Sequence, residues 1–162
     1  MNNKIVISDA SPIFSLAVIN KLDILNLIFG EVYIPEAVWD EITFDKTSSL
    51  YNRISAFFEQ KKKKIEGVNN LVFVMDYGES EAVLLFKEMG ADYLLIDDRK
   101  ARNIAESLGV NCIGTLGVLS IACERGFIKE LRPLFEQFIY NKRYYSKTLL
   151  NAILHKHEEL PI

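Results

Sequence analysis

"DYLLIDDRKAR", Asp92 to Arg102, joins an apolar run to a charged helical segment through two adjacent aspartates. Tyr93, Leu94, Leu95 and Ile96 make the short apolar run of a buried strand, and the helix "DRKARNIAESLG" follows until Gly109 stops it. A strand that passes into a helix through an aspartate is ordinary, because Asp caps helix N-termini. Asp97 and Asp98 are two adjacent like charges, however, and a cap uses only one of them.

The same grammar extends in both directions. "KIVIS", Lys4 to Ser8, is a strand followed by Asp9 and the helical "SPIFSLAVINKLDILNLIF", where Ser11-Pro12 has the form of a cap with proline at the first helical position. "EVYI", Glu31 to Ile34, is a second strand, and Pro35 opens the helix "PEAVWDEITF". A longer polar helix is expected between Thr47 and Gly67, ending in the lysine run Lys61 to Lys64. "LVFVM" from Leu71 reads as a third strand, leading into the helix "GESEAVLLFKEMG". "DYLLI" is the fourth strand and "VNCIG" the fifth, with "TLGVLSIACERG" and two more helical stretches behind it. Strands alternating with helices argue an α/β fold, a parallel sheet of about five strands with helices on both faces. The 162 residues suit a single domain, 1–162, with 127–162 as a C-terminal helical extension.

Composition bounds the function. With 49% hydrophobic and 25% charged residues and a net charge of -3, the chain is globular and has no global attraction for polyanions, although a local patch or a bound cation can reverse the potential at one site. Cys112 and Cys123 fit no metal-binding spacing and read as small core residues of a reducing compartment. The opening residues are too polar for a signal sequence and no apolar run reaches the ~20 residues of a membrane span, so a cytoplasmic location without membrane contact is expected.

In right-handed βαβ units the strand ends and the first turns of the following helices gather along one edge, where open α/β sheets bind ligands. Asp9 ends strand one, Asp97 and Asp98 end strand four, Glu79 and Glu81 open the helix after strand three, and Glu41 lies in the second turn of the helix after strand two. Helix dipoles account for some of these acids, but poorly for Glu41. Crowded carboxylates raise one another's pKa unless a cation compensates, and oxygen-only ligands suit Mg²⁺ or Mn²⁺. Such ions acidify a bound water and polarise phosphodiesters, so the implied chemistry is metal-assisted phosphodiester hydrolysis. Glu79 and Glu81 point to different sides of a helix. Glu81 stands beside the apolar stripe Ala82, Leu85, Phe86 and Met89 and is the expected ligand, with Glu79 in support.

"VISDASPIF", "IPEAVWDEI", "GESEAV" and "LLIDDRKARNIAESLGV" followed by "IGTLGVL" resemble the PIN-domain family of nucleases, in order and from Lys4 to about Gly126. The resemblance implies a Rossmann-like three-layer α/β/α sandwich, Mg²⁺ or Mn²⁺ as cofactor and single-stranded RNA as substrate. It also implies the toxin of a VapBC-like pair, with a small antitoxin as partner, and a homodimer. Residue by residue it maps the catalytic acids to Asp9, Glu41, Glu81 and Asp98. The metal ligands would be Asp9, Glu81, Asp97 and Asp98, and whether Asp97 or Asp98 is the main one stays open. Ser11 stands where many relatives have Asn and could support Asp9 or a metal-bound water.

Arg99 and Arg102 either hold substrate phosphate or neutralise unused carboxylates. The lysine run is expected to be a solvated face, with guidance of a phosphate backbone as its alternative. "NKRYYSK", Asn141 to Lys147, could stack bases or pack a C-terminal helix. His155 and His157 face different sides of a helix and do not make a metal pair. The apolar "LDILNLIF", with Phe14 nearby, could form a dimer or antitoxin surface. Two rival functions stand beside the nuclease: a receiver-like phosphoacceptor, which leaves Glu41 and Glu81 idle, and a PIN-like protein-binding domain without turnover.

Overall fold

The structure, a computed structural model, describes residues 3–162. Strands β1 (Lys4–Ser8), β2 (Gly30–Pro35), β3 (Lys62–Lys63), β4 (Tyr93–Leu95) and β5 (Cys112–Ile113) form one parallel sheet in the order β3-β2-β1-β4-β5. Between and after them run helices α1 (Ala10–Val18), α2 (Ile24–Phe29), α3 (Glu36–Ile42), α4 (Tyr51–Phe58), α5 (Tyr77–Met89), α6 (Arg99–Ser107), α7 (Thr115–Glu124), α8 (Arg132–Tyr140) and α9 (Lys147–Lys156).

Side chains alternate across a strand, and here the alternation divides the core in two. Val6, Val32, Ile34 and Leu95 face a layer built from α1 to α4 and α7 to α9. Ile7, Leu94 and Ile96 face α5 and α6. The result is the expected three-layer α/β/α sandwich. Strands covered on both faces need apolar residues at consecutive positions, which is why "IVI" and "LLI" read as unbroken runs.

From β1 the chain winds outward through β2 to β3, then crosses to β4 and β5 on the other side of β1. The winding direction therefore reverses between β1 and β4, and the carboxyl ends of these two strands flank the crevice. The Asp9 N–H donates to the Leu95 carbonyl at 2.9 Å, tying the chain at both strand ends together. Helix α1 begins at Ala10, so Asp9 rather than Ser11 holds the cap position, yet its side chain makes no capping hydrogen bond.

Three expectations are corrected. "LVFVM" is not a strand: Asn70–Phe73 form a single 3₁₀ turn, whose start is fixed by the Leu71 N–H donating to Asn69 Oδ1 at 3.1 Å. Val72, Phe73 and Val74 are exposed there, and only Met75 is buried. The third strand lies instead in the lysine run, because the polar helix ends early, at Phe58. Lys62 lies over the Trp39 ring at 4.4 Å and Lys63 over the Tyr33 ring at 5.0 Å. Their stems cover apolar surface while their charges guard a sheet edge against pairing with another chain. The third correction concerns "LDILNLIF". Leu22, Ile24, Leu25, Ile28 and Phe29 are core residues, and of the apolar side chains only Leu27 is exposed, so the run offers no apolar docking surface.

Candidate active site

The crevice between β1 and β4 opens into a cavity of about 260 Å³ lined by Asp9, Ser11, Phe14, Glu41, Asp76, Gly78, Glu79, Asp98 and Arg143. Five segments supply these residues: the end of β1 with the start of α1, the last turn of α3, the start of α5, the start of α6, and the turn between α8 and α9. Of the acids that line the cavity Asp9 is the most buried, 5% exposed. No side chain among the described residues hydrogen-bonds its carboxylate. Burial pushes the Asp9 carboxyl up to about 7, Glu79, Glu41 and Asp97 add to the shift, and the Ala10 amide offsets part of it. Glu41 is raised by burial and then by Asp76, and Glu79 by burial and the neighbouring acids.

Helix α5 presses close to this cavity because Gly78 has no side chain. A Cβ there would stand 3.0 Å from Glu41 Oε2 and 3.8 Å from Asp9 Oδ1. Asp76 caps the helix, and the Asp76 N–H donates to Glu79 Oε2 at 3.2 Å. The other Glu79 oxygen has no donor among the described residues, and Glu79 lines the cavity. An adjoining hollow of about 410 Å³ shares Asp76, Glu79 and Asp98, and its walls are Val72 to Met75 on one side and Lys100 with Ala101 on the other.

Glu81 does not line the cavity. It is 5% exposed, and its Oε2 accepts the Ala37 N–H at 3.0 Å, so it satisfies the start of α3. The apolar stripe that was expected to turn Glu81 toward the sheet edge carries it underneath α3 instead. Glu79, at the mouth of the helix, takes the place facing the other acids.

The two adjacent aspartates have separate partners. Asp98 Oδ1 accepts the Ala101 N–H at 2.8 Å, which caps α6, and Asp98 also borders the cavity. Asp97 turns toward α7: Oδ1 accepts the Thr115 N–H, and Oδ2 accepts the Thr115 and Tyr145 hydroxyls, each at 2.7 Å. Gly114 permits this approach, since a Cβ there would lie 3.2 Å from Asp97 Oδ1. Three strong donors leave Asp97 little capacity for another ligand.

Ser11 lines the cavity, but its hydroxyl accepts from Arg143 at 3.0 Å rather than bonding Asp9. Arg99 is exposed at the start of α6, outside the cavity lining. Arg102 is held away by Glu106 at 2.9 Å and the Cys112 carbonyl at 3.3 Å. The cation that does line the cavity, Arg143, was visible in the sequence only as part of "NKRYYSK". It comes from more than 130 positions beyond Asp9, and no local pattern marks it.

The donor set fits Mg²⁺ or Mn²⁺ in chemistry: it is all oxygen, and the buried Asp9 lacks a side-chain partner for its charge. Among the described residues no three His, Cys, Asp or Glu side chains converge closely enough to grip one ion directly. Mg²⁺ tolerates that, since it keeps several waters and needs one or two carboxylates with the rest of its shell bridged.

A family model described as "PIN domain" matches residues 5–159, nearly the whole chain and including the C-terminal helices. No curated protein matches the sequence. Fold and family match agree, and the chain belongs to the PIN-domain family, whose members are generally nucleases.

Proposed function

We propose that the protein is a metal-dependent endoribonuclease that hydrolyses single-stranded RNA. The observation that carries this reading is the convergence of Asp9, Glu41, Glu79 and Asp98, from four separate elements, on one cavity at the point where the sheet reverses its winding. Glu41 and Glu79 share the cavity with the strand-end aspartates, which favours a nuclease over a phosphoacceptor that would use the aspartates alone.

Asp9, Asp98, Glu41 and Glu79 would hold Mg²⁺ or Mn²⁺, with Asp9 as the most buried of the four. A bound ion supplies two things, acidification of a water and neutralisation of charge at the phosphate. The chain's own part is to leave the Asp9 carboxylate without a competing side-chain partner and to set the four acids by rigid elements: Asp98 through its cap on α6, Glu79 through the capping turn of α5. The hollow beside the acids has room for a nucleotide, and Phe73, 86% exposed at its wall, offers a face on which an unpaired base can stack. A duplex would not present such a base.

Family kinship extends the reading to the toxin of a VapBC-like pair, held by a small antitoxin and working as a homodimer. Growth arrest on expression, relieved by co-expressed antitoxin, and the mass in solution test those two steps separately.

The test of the activity is cleavage of end-labelled single-stranded RNA with Mg²⁺ or Mn²⁺ by wild type and by Asp9→Asn and Asp98→Asn. Wild type cleaves and both variants lose at least about a hundredfold in rate. Equal cleavage by all three removes the site.

A further inference from the structure

Arg143 is the only cation lining the acidic cavity, and none of its acids is within ion-pairing distance of it among the described residues. Neutral acceptors hold it instead. Its Nε donates to Ser15 Oγ at 3.0 Å, and one terminal nitrogen, Nη2, donates to the Ser11 carbonyl at 2.9 Å and to Ser11 Oγ at 3.0 Å. A guanidinium has five N–H donors in a fixed fork, and these three bonds leave the Nη1 pair without a partner among the described residues.

The serine that orients it is itself oriented. Ser15 is fully buried, and its Oγ lies 2.7 Å from the Tyr145 hydroxyl, which lies 2.7 Å from Asp97 Oδ2. The carboxylate can only accept, so the Tyr145 proton goes to Asp97, the Ser15 proton to Tyr145, and the Arg143 N–H to Ser15. The four groups form one directed chain from guanidinium to carboxylate, in which each bond polarises the next. Asp97 thus balances the charge of Arg143 from a distance without occupying its free donors.

We infer that Arg143 builds an anion site at the rim of the acids, and that its free Nη1 donors take a non-bridging oxygen of an RNA phosphodiester. This rests on the proposed reading of the cavity as a nuclease site and adds the residue that grips the strand there. A phosphate entering a cavity lined by five carboxylates needs positive charge beside the metal ion, and a planar fork suits phosphate geometry better than the point charge of a lysine. The second strand-end aspartate finds its use in the same chain: Asp98 faces the acids, and Asp97 anchors the C-terminal turn that delivers Arg143.

The test measures binding of a fluorescent single-stranded RNA by anisotropy, with Ca²⁺ present to hold the strand uncut, for wild type, Arg143→Ala and Arg143→Lys. Arg143→Ala loses at least about tenfold in affinity and Arg143→Lys an intermediate amount, because the charge remains and the fork is gone. A strand with one neutral methylphosphonate linkage at the cleavage position binds wild type and Arg143→Ala alike. In cleavage assays with Mn²⁺, methylguanidinium restores activity to Arg143→Ala, which loss of packing alone would not allow. Equal RNA affinity for wild type and both variants overturns the anion site, and so does a wild type that binds no RNA. A wild type that cleaves RNA while Arg143→Ala binds it equally well removes this site and keeps the nuclease. A wild type that cleaves nothing yet binds RNA through Arg143 removes the nuclease and keeps this site.

Discussion

Asp9 is an acid in a place that disfavours its own charge. It is buried, and Glu79, Glu41 and Asp97 stand within its field, so its carboxyl is held up to about 7 against an ordinary 3.8. Below about pH 4 the folded and unfolded chains both carry the proton and Asp9 costs nothing; as pH rises toward 7 the unfolded chain ionises first, and stability falls. Above the folded value the cost is complete, on the order of 4 kcal/mol. In metal-free buffer the melting temperature of Asp9→Asn should therefore rise above that of wild type as pH climbs from about 4 to 8, by about 5 °C or more at the top of the range. Mn²⁺ should return the loss in wild type only. Parallel curves for the two proteins would show that Asp9 ionises freely without an ion. A second contrast separates the two glutamates of α5. Glu79→Gln should abolish cleavage and leave the melting temperature nearly unchanged, whereas Glu81→Ala should cost about 1 kcal/mol or more of stability through the uncapped start of α3. The reverse pattern would return the ligand role to Glu81. Sequence placed both glutamates at the right edge and chose Glu81, but it is Glu79 that lines the cavity. The stripe from Ala82 to Met89 shows which side of α5 is buried, and a carboxylate beside a buried side is as readily consumed by a neighbouring helix as offered to a ligand.

At the scale of elements, the start of α5 is the tightest point of the site. Gly78 sits inside the first turn, where alanine is the better helix former, so its absence of a side chain serves the neighbouring carboxylates rather than the helix. Gly78→Ala should leave stability equal or slightly raised while it displaces the Glu41 carboxylate and lowers the cleavage rate by about tenfold or more. Unchanged cleavage with unchanged stability would mean that Glu41 has no part in the reaction. The elements themselves were legible wherever a local signal and the tertiary outcome agree. β1, β2, β4 and β5 announce themselves as apolar runs ended by an acid, a proline or a glycine. The third strand is illegible for a physical reason: at the sheet edge two lysines need only a backbone partner and an aromatic surface, while "LVFVM", with the stronger local pattern, has no strand left to pair with. The cap of α6 was half legible, since one of Asp97 and Asp98 had to supply it. Only the packing of α7 and the Tyr145 hydroxyl shows that Asp98 does so and Asp97 binds elsewhere.

For the whole molecule, the parallel sheet and its point of reversal explain why acids so distant in sequence share a cavity, and that much follows from alternating strands and helices alone. What sequence order hides is the closing of the site from the far end of the chain. The turn between α8 and α9, with Lys142 in the left-handed region at φ 56°, brings Arg143 and Tyr145 back over α1. The family match runs through this segment to residue 159, in keeping with its place at the cavity. Asp9, Glu41, Glu79 and Asp98 are proposed to surround a divalent cation. Crystals soaked in Mn²⁺ and measured by anomalous scattering test it most directly. A peak is expected in the cavity within coordination distance of Asp9, with Asp98, Glu41 or Glu79 completing its shell directly or through water. A peak at Asp97 or Glu81 instead, or none at Asp9 in crystals of protein that cleaves RNA with Mn²⁺, would contradict it.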